Sequence, residues 1–176
     1  MLEKENTRKA LEAFKRYVIS QSRANLTRKK KNVTKQLYNS LQGIIDSSPK
    51  GFDLKFEMED YGKFQDKGVK GYTSTYPESQ NSPFRFGTGT GKQGGLTNNI
   101  KGWVAARRFQ FRDVKGRFMS YERTAGAVSW SIWNKGIKAS LFFTKPFEKA
   151  FKTLPKELRE AYALDIEQFL EYTIKQ

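Results

Sequence analysis

The spacing of apolar side chains predicts helices at both ends of the chain. Leu11, Phe14 and Val18 recur at steps of three and four within residues 3–22, as on one buried face of a helix. Near the other end, Pro146 suits the first turn of a helix, and Pro155 is expected to kink or restart it. The apolar stripe of this last helix runs through Phe147, Ala150, Phe151, Leu154, Leu158, Tyr162, Ile166, Phe169 and Leu170.

Between these ends, the pattern predicts one further helix and two strands. The helix is expected from Asn32 to about Ile45, because proline and glycine follow it at Pro49 and Gly51. Residues 52–58 alternate apolar and polar side chains, which predicts a half-buried strand. The apolar run from residue 137 to 143 predicts a second strand.

The middle of the chain is the least regular part. Residues 60–71 are expected to turn or to form a short helix, and residues 72–95 to form a long loop or inserted arm rich in glycine. Helical spacing returns over residues 96–108 and over residues 121–133, the second ended by Gly136.

We therefore predict an α+β fold with an open, mostly antiparallel sheet packed by the N- and C-terminal helices. The length suits a single domain over residues 1–176. Within it we expect a basic helical arm at 1–31 and a helical and loop insertion at 72–136 that contains the glycine-rich loop.

The net charge of the chain indicates which classes of partner its surface would suit. The formal net charge is +15, and residues 1–35 carry eleven Lys or Arg against three acids. Such a surface suits nucleic acid, an acidic protein face or an anionic membrane. No apolar run approaches the roughly 20 residues that span a bilayer, and residues 1–6 do not resemble a signal peptide. We expect a protein made in a reducing cytoplasm, with no membrane partner.

The residue types argue against an enzyme. The chain has no cysteine and no histidine, so thiolate chemistry and the commonest general base and metal ligand are missing. The acidic cluster of Glu57, Glu59, Asp60 and Asp66 is better explained as a solvated sheet face, because Lys55 is near and no third ligand follows. We therefore predict no catalytic residue, no metal site and no cofactor.

A glycine pattern at Gly89, Gly91 and Gly94 formally matches a dinucleotide fingerprint. That fingerprint needs a buried strand before it and a helix that opens within it, and neither is predicted here. A flexible loop is the better interpretation.

Two basic segments are candidates for contact with a partner or with nucleic acid. Residues 107–118 alternate basic and aromatic side chains, as proteins that hold single-stranded nucleic acid often do. The alternative is an amphipathic hairpin whose phenylalanines Phe109 and Phe111 pack in the core or at a subunit contact. The candidate contact residues are Arg28, Lys29, Lys30, Lys31, Arg107, Arg108, Arg112, Lys115 and Arg117.

Three segments carry a resemblance to a known family. They are Thr34–Leu41, Tyr61–Gly68 and Phe142–Phe151, the last opening the final helix. In this order they resemble the tail-completion or head–tail joining (neck) proteins of tailed bacteriophages. The resemblance covers residues 32–71 and 137–170. The insertion 72–136 is larger than in compact members and resembles relatives from phages that infect Bacteroidetes.

The chain departs from the family pattern at two places. Asp66 stands where the family usually has glutamate, and Gly68-Val69 replaces Gly-Thr. Both departures fall in the segment expected to turn the chain and present an edge to a neighbour. The subunit-contact candidates there are Tyr61, Phe64, Asp66, Lys67 and Gly68.

The resemblance implies a structural virion protein without chemistry. Family members form rings between portal and tail, so the expected partners are further copies of the chain and portal, adaptor or tail proteins, with genomic DNA nearby. The expected location is the neck or tail region of the virion. The alternative from the residues themselves is a basic nucleic-acid-binding module.

Overall fold

The computed structural model describes residues 4–31, 33–48, 51–88 and 95–174. Over these residues the chain has an α+β fold of helices with small antiparallel sheets, which confirms the predicted fold class. The chain divides into two compact units: the first comprises residues 1–28, 37–59 and 142–176, and the second residues 29–36 and 60–141. The predicted insertion 72–136 lies within the second unit, and the single-domain organisation stays a prediction.

Most of the regular elements follow the expected apolar spacing, with two exceptions that are described below. Within the predicted loop of residues 72–95, the described residues include a 3₁₀ turn at Pro77–Ser79. In chain order, the elements are α1 Glu5–Arg28, α2 Gln36–Ser40, β1 Gln42–Ser48, β2 Gly51–Glu57, α3 Gly62–Lys67, β3 Val69–Lys70, α4 Gly95–Ala106, α5 Tyr121–Lys135, β4 Gly136–Ile137, α6 Thr144–Phe151 and α7 Leu154–Ile174.

Aromatic side chains form the core of the first unit. Phe14 of α1 meets Phe147 of α6 edge to face, with 5.6 Å between ring centroids, and Phe56 of β2 lies 6.2 Å from Phe14. Val18 and Leu154 are buried beside them. Such edge-to-face pairs add to the free energy gained by burying the rings. The terminal helices therefore pack against the sheet, as the apolar pattern predicts.

The predicted helix from Asn32 to about Ile45 is confirmed only over Gln36–Ser40, and it is wrong for residues 33–35 and beyond Ser40. Residues 42–48 instead form β1, which pairs antiparallel with β2 so that Gln42 faces Glu57 and Ser48 faces Gly51. The two-residue alternation leaves Ile45 half-buried and Ile44 exposed. Pairing with β2, which begins only three residues after the end of β1, outweighs the local helical spacing, because β-branched residues suit a pleated surface. Asn32, the expected start, lies outside the described residues.

A buried carboxylate of α7 holds the first turn of α1. Asp165 accepts hydrogen bonds from the backbone N–H groups of Asn6 (2.8 Å) and Thr7 (3.0 Å). It also accepts from the side chains of Asn6 (2.9 Å) and Thr7 (2.6 Å). The first N–H groups of a helix have no partner within the helix, so a negatively charged acceptor there stabilises it. Asp165 thus caps α1 from 159 residues away.

The predicted strand from residue 137 to 143 is wrong after Ile137. Only Gly136 and Ile137 pair, with Lys70 and Val69 of β3. The N–H groups of Ser140 and Leu141 donate instead to the backbone carbonyl of Asp66 at the end of α3 (3.1 and 2.9 Å). These bonds satisfy a carbonyl that a helix end leaves open, and they consume the donors that a strand needs.

The structure confirms the two helices predicted in the middle segment, although the buried side of α5 carries Thr124, Ala125 and Ser129 and its tryptophans are exposed. Val104 of α4 and Ala125 of α5 are fully buried, and the two helices pack on each other. The N-cap of α5 is Ser120, whose hydroxyl accepts a hydrogen bond from the N–H of Arg123. The C-cap is Gly136, with a φ of +87°. A side chain at this φ would be strained, so glycine ends the helix at low cost.

Candidate functional site: a basic and aromatic groove

A wide groove lies within the second unit. Its volume is about 2130 Å³, and its lining comes from residues 29–36 and 61–138. Pockets for small molecules usually enclose about 300–1,000 Å³. The groove is therefore large enough for an extended ligand of several units.

Positive charge dominates the lining. None of the described residues that line the groove is Asp or Glu. Lys63 and Lys138 pair with carboxylates outside the lining, Asp60 at 3.7 Å and Glu78 at 2.5 Å. The other cations form no ion pair with a described carboxylate, so no described acidic side chain neutralises their charge. The seven basic residues are Lys29, Lys30, Lys31, Lys63, Arg85, Arg107 and Lys138.

Two basic segments that are far apart in the sequence meet at one end of this lining. Arg107, which follows α4, donates from Nη2 to the backbone carbonyl of Lys30 (2.9 Å). The amine of Lys29 donates to the carbonyl of Ser140 (2.6 Å). The structure thus brings Lys29, Lys30, Lys31 and Arg107 together, four of the candidates that the sequence indicated separately.

Burial and neighbouring positive charge both act on Lys31. Desolvation, together with the positive charges of Lys29 and Arg107, holds the pKa of the Lys31 amine below its ordinary value. Lys31 is nevertheless exposed by accessible area. An incoming anion can therefore reach this ammonium group and relieve the repulsion around it.

Aromatic side chains share the lining with these cations. Trp130 of α5 is 70% exposed, although tryptophan is usually well buried. Trp133 stacks on Tyr72 with ring centroids 4.2 Å apart, which fixes its orientation. The guanidinium of Arg107 lies over Trp103, 5.5 Å from the ring centroid. The aromatic lining residues are Tyr61, Phe64, Tyr76, Phe84, Phe86, Trp103, Trp130 and Trp133.

Three other basic candidates, Arg112, Lys115 and Arg117, lie at a hairpin turn. Asp113 accepts from the N–H groups of Lys115 and Arg117, both at 2.9 Å, and pairs with the Arg117 guanidinium at 3.1 Å. Arg112 donates to the carbonyl of Gly116 (2.6 Å) and lies over the ring of Phe118 at 4.0 Å. Arg112 and Arg117 thus stabilise the turn, and neither they nor Lys115 line the groove.

Four further residues that the sequence singled out do not line the groove. Phe109 and Phe111 do not enter a core: their rings contact each other at 5.0 Å and both stay exposed. Arg28 belongs to the first unit, where it donates to the side chain of Asn25 (2.7 Å). Arg108 does not line the groove.

The subunit-contact candidates divide into surface and interior residues. Tyr61 and Lys67 are exposed, and Phe64 packs on Phe84 with ring centroids 4.7 Å apart. Asp66 and Gly68 are buried within the second unit, so we remove these two from the candidate contact surface. Their buried positions assign them to the packing of α3 against the rest of the unit.

Arg108 occupies a backbone conformation that normally favours glycine. Its φ is +51°. The N–H of Arg108 donates to the carbonyl of Ala105 (3.0 Å), and the N–H of Phe109 donates to the carbonyl of Val104 (2.9 Å). These two bonds form a Schellman motif at the end of α4. We expect Arg108→Gly to raise the free energy of unfolding by about 0.5–1 kcal/mol, because glycine relieves this strain. Urea unfolding followed by tryptophan fluorescence measures the change. Arg108→Ala, which removes the same charge but keeps a Cβ atom, should give no gain.

The described residues offer no obvious site for a metal ion or a membrane span. No group of three or more His, Cys, Asp or Glu side chains among them could hold a metal ion. None of the described helices is long and apolar enough to cross a bilayer. The glycine pattern at Gly89, Gly91 and Gly94 lies outside the described residues, as do the side chains of Phe169 and Leu170.

Comparison with known proteins does not assign the chain. No family model, curated protein or solved structure matches it. The function is therefore inferred from the residues and their arrangement.

Several groove residues give no signal in the sequence. Lys63, Arg85 and Lys138 are isolated cations, and Trp130 and Trp133 belong to an ordinary helical stripe. Only the fold places them around one concavity. The sequence contains one hint: residues 83–112 include no Asp or Glu.

Proposed function

We propose that the protein is a structural subunit of a tailed-phage particle, in the neck or tail-completion ring that joins the DNA-filled capsid to the tail. Its partners would be further copies of itself and portal, adaptor or tail proteins. Assembly would take place in the host cytoplasm, and the protein would then remain in the neck region of the virion. No bond-making step is part of this function.

The observation that carries the proposal is the packing of the first and third segments that resemble the family. Leu37 of the first segment and Phe142 of the third are buried against each other and Leu26 in the first unit. The helix α6 begins at Thr144, directly after Phe142 and Phe143, as the resemblance implies. Short motifs that meet in one core are better support than motifs scattered along a chain.

An exposed hairpin supplies a surface for docking. Val114 at its tip is fully exposed (104%), and Phe118 is 63% exposed. Apolar, aromatic and arginine side chains exposed together are typical of protein contacts. In a closed ring, each weak contact is repeated between neighbouring copies, so multivalency supplies the stability of the assembly.

Quantitative mass spectrometry of purified particles tests this proposal. We expect the chain in the particles of the phage that encodes it, at a low and fixed copy number relative to the major capsid protein. A chain that is missing from purified, infectious particles would contradict the proposal.

The second candidate function is a nucleic-acid-binding module. The specific observation in its favour is the groove of the second unit, whose described lining contains seven cations and no carboxylate. Neutralisation of phosphates by such cations provides most of the affinity of non-specific nucleic-acid binding.

A further inference from the structure

The groove of the second unit combines cations with exposed ring faces. A site for phosphate alone needs only the cations, as at Lys29, Lys30, Lys31 and Arg107. A site for apolar ligands would not be lined by cations that lack a paired carboxylate among the described residues. The combination is typical of proteins in which bases stack on aromatic rings while cations follow the phosphate backbone.

We propose that this groove binds single-stranded nucleic acid, with phosphates at Lys29–Lys31 and Arg107 and unpaired bases stacked on exposed rings such as that of Trp130. The inference rests on the second candidate function and names its site and ligand class. It is independent of a position in the phage neck.

Base stacking is what separates a single strand from a duplex. The base faces of a duplex are already stacked on one another and are closed to a protein side chain. A duplex would therefore use the cations of the groove and leave Trp130 and Trp133 without a function. In a single strand, every base offers a face to these rings, whatever the sequence.

Charge complementarity favours nucleic acid over an acidic protein segment. The described lining has no acceptor carboxylate, and five of its cations lack an ion-pair partner among the described residues. A phosphodiester strand supplies one negative charge for each unit together with a flat base. An acidic peptide supplies the charge but seldom the flat partner that a stacked ring needs.

The environment of Lys31 supports an anion at this end of the groove. Its pKa is lowered first by desolvation and then by the charges of Lys29 and Arg107. A bound phosphate would offset the charges of both positive neighbours and raise the pKa of the Lys31 amine again. Lys29, held by the carbonyl of Ser140, supplies a second charge that is already oriented.

Fluorescence anisotropy with a labelled 15-nucleotide single strand, and with the corresponding duplex, tests the inference. We expect the full chain to bind the single strand more tightly than the duplex, although the duplex carries the higher charge density. The logarithm of the binding constant should fall with the logarithm of salt concentration with a slope of roughly −3, as for four or five neutralised phosphates.

Variants at exposed positions locate the site without disturbing the fold. Trp130→Ala should weaken single-strand binding about tenfold, the loss of one stacked base. Lys31→Gln should reduce the magnitude of the salt slope by about 0.7, the loss of one phosphate. Phe118→Ala and Arg117→Gln remove an exposed aromatic ring and an exposed cation outside the groove lining, and should change neither quantity.

The possible outcomes distinguish the single-strand inference from the nucleic-acid-binding candidate and from the proposed neck function. Equal or tighter binding of the duplex, with no effect of Trp130→Ala, would overturn the single-strand inference and leave the nucleic-acid candidate standing. Binding of polyglutamate in place of either nucleic acid would overturn both and indicate an acidic protein partner. None of these results bears on the presence of the chain in phage particles.

Discussion

Replacing Asp165 by alanine is expected to lower the free energy of unfolding by about 3–4 kcal/mol. Asp165 is 1% exposed and accepts four hydrogen bonds from Asn6 and Thr7. Alanine would leave the backbone N–H groups of the first turn of α1 without an acceptor and would remove a negative charge from the positive end of the helix. Urea unfolding followed by circular dichroism measures the loss.

Two variants separate the effect of the Asp165 charge on the free energy of unfolding from the effect of removing any carboxylate of α7. Asp165→Asn keeps an oxygen acceptor but no charge, so about half of the loss is expected. Glu160→Ala removes an exposed carboxylate of the same helix, whose pair with Lys156 is 3.8 Å long, and should cost less than about 0.5 kcal/mol. Equal losses for Asp165→Ala and Glu160→Ala would contradict the capping role.

The same carboxylate predicts a dependence on pH. Burial raises the pKa of Asp165, but the hydrogen bonds from Thr7 and Asn6 lower it by more, so the pKa lies below its ordinary value of 3.8. A carboxylate with a lowered pKa stabilises the fold fully above that ordinary value and loses this contribution as the pH falls through its folded pKa. The stability difference between the wild type and Asp165→Asn should therefore narrow below about pH 3.8.

Replacing Gly68 by alanine is the second change with a large expected effect, a loss of about 3–5 kcal/mol. Gly68 has a φ of +74°, and a Cβ atom there would lie 2.6 Å from the carbonyl oxygen of Ile137 and 2.7 Å from the N–H nitrogen of Ala139, beside the Ser79 hydroxyl. Ser79 cannot move away freely, because its hydroxyl donates to Ile137 (2.8 Å) and accepts from Ala139 (2.9 Å). The backbone itself would have to shift.

Gly116 provides the matched control for this change. Its φ of +75° is almost the same, but a Cβ atom there would meet nothing within 4 Å. Gly116→Ala should therefore cost only the backbone strain, about 1–2 kcal/mol. Tryptophan fluorescence follows both variants, because Trp103, Trp130 and Trp133 all lie in the second unit. Similar losses for the two glycines would show that close packing at Gly68 is unimportant.

The sequence predicts elements whose signal lies within the element itself and misses features that depend on a partner segment, whether it is near or distant in the chain. The stripe of Leu11, Phe14 and Val18 indicates α1, because each residue lies on the buried side of the same helix. The strand β1 is missed because only pairing with β2 distinguishes Ile44 and Ile45 from helical residues. The role of Asp165 is missed for the same reason, since its hydrogen-bond partners Asn6 and Thr7 lie at the other end of the chain.

The groove shows the same limit for the prediction of functional residues from the sequence. Local composition points to the basic character of residues 28–31 and of Arg107, but not to their contact through the carbonyl of Lys30. It also groups Arg112 and Arg117 with them, although these two side chains stabilise a turn around Asp113 and Gly116. Which cations share a surface is decided by the fold, because side chains meet there from segments that are far apart in the sequence.

Electron microscopy of particles made with this gene interrupted tests the proposed neck function most directly. A subunit that joins the capsid to the tail is needed for attachment but not for building either part. We therefore expect DNA-filled capsids and separate tails, with joined particles restored when the gene is supplied in trans. Normal numbers of complete, infectious tailed particles without the chain would contradict the proposal.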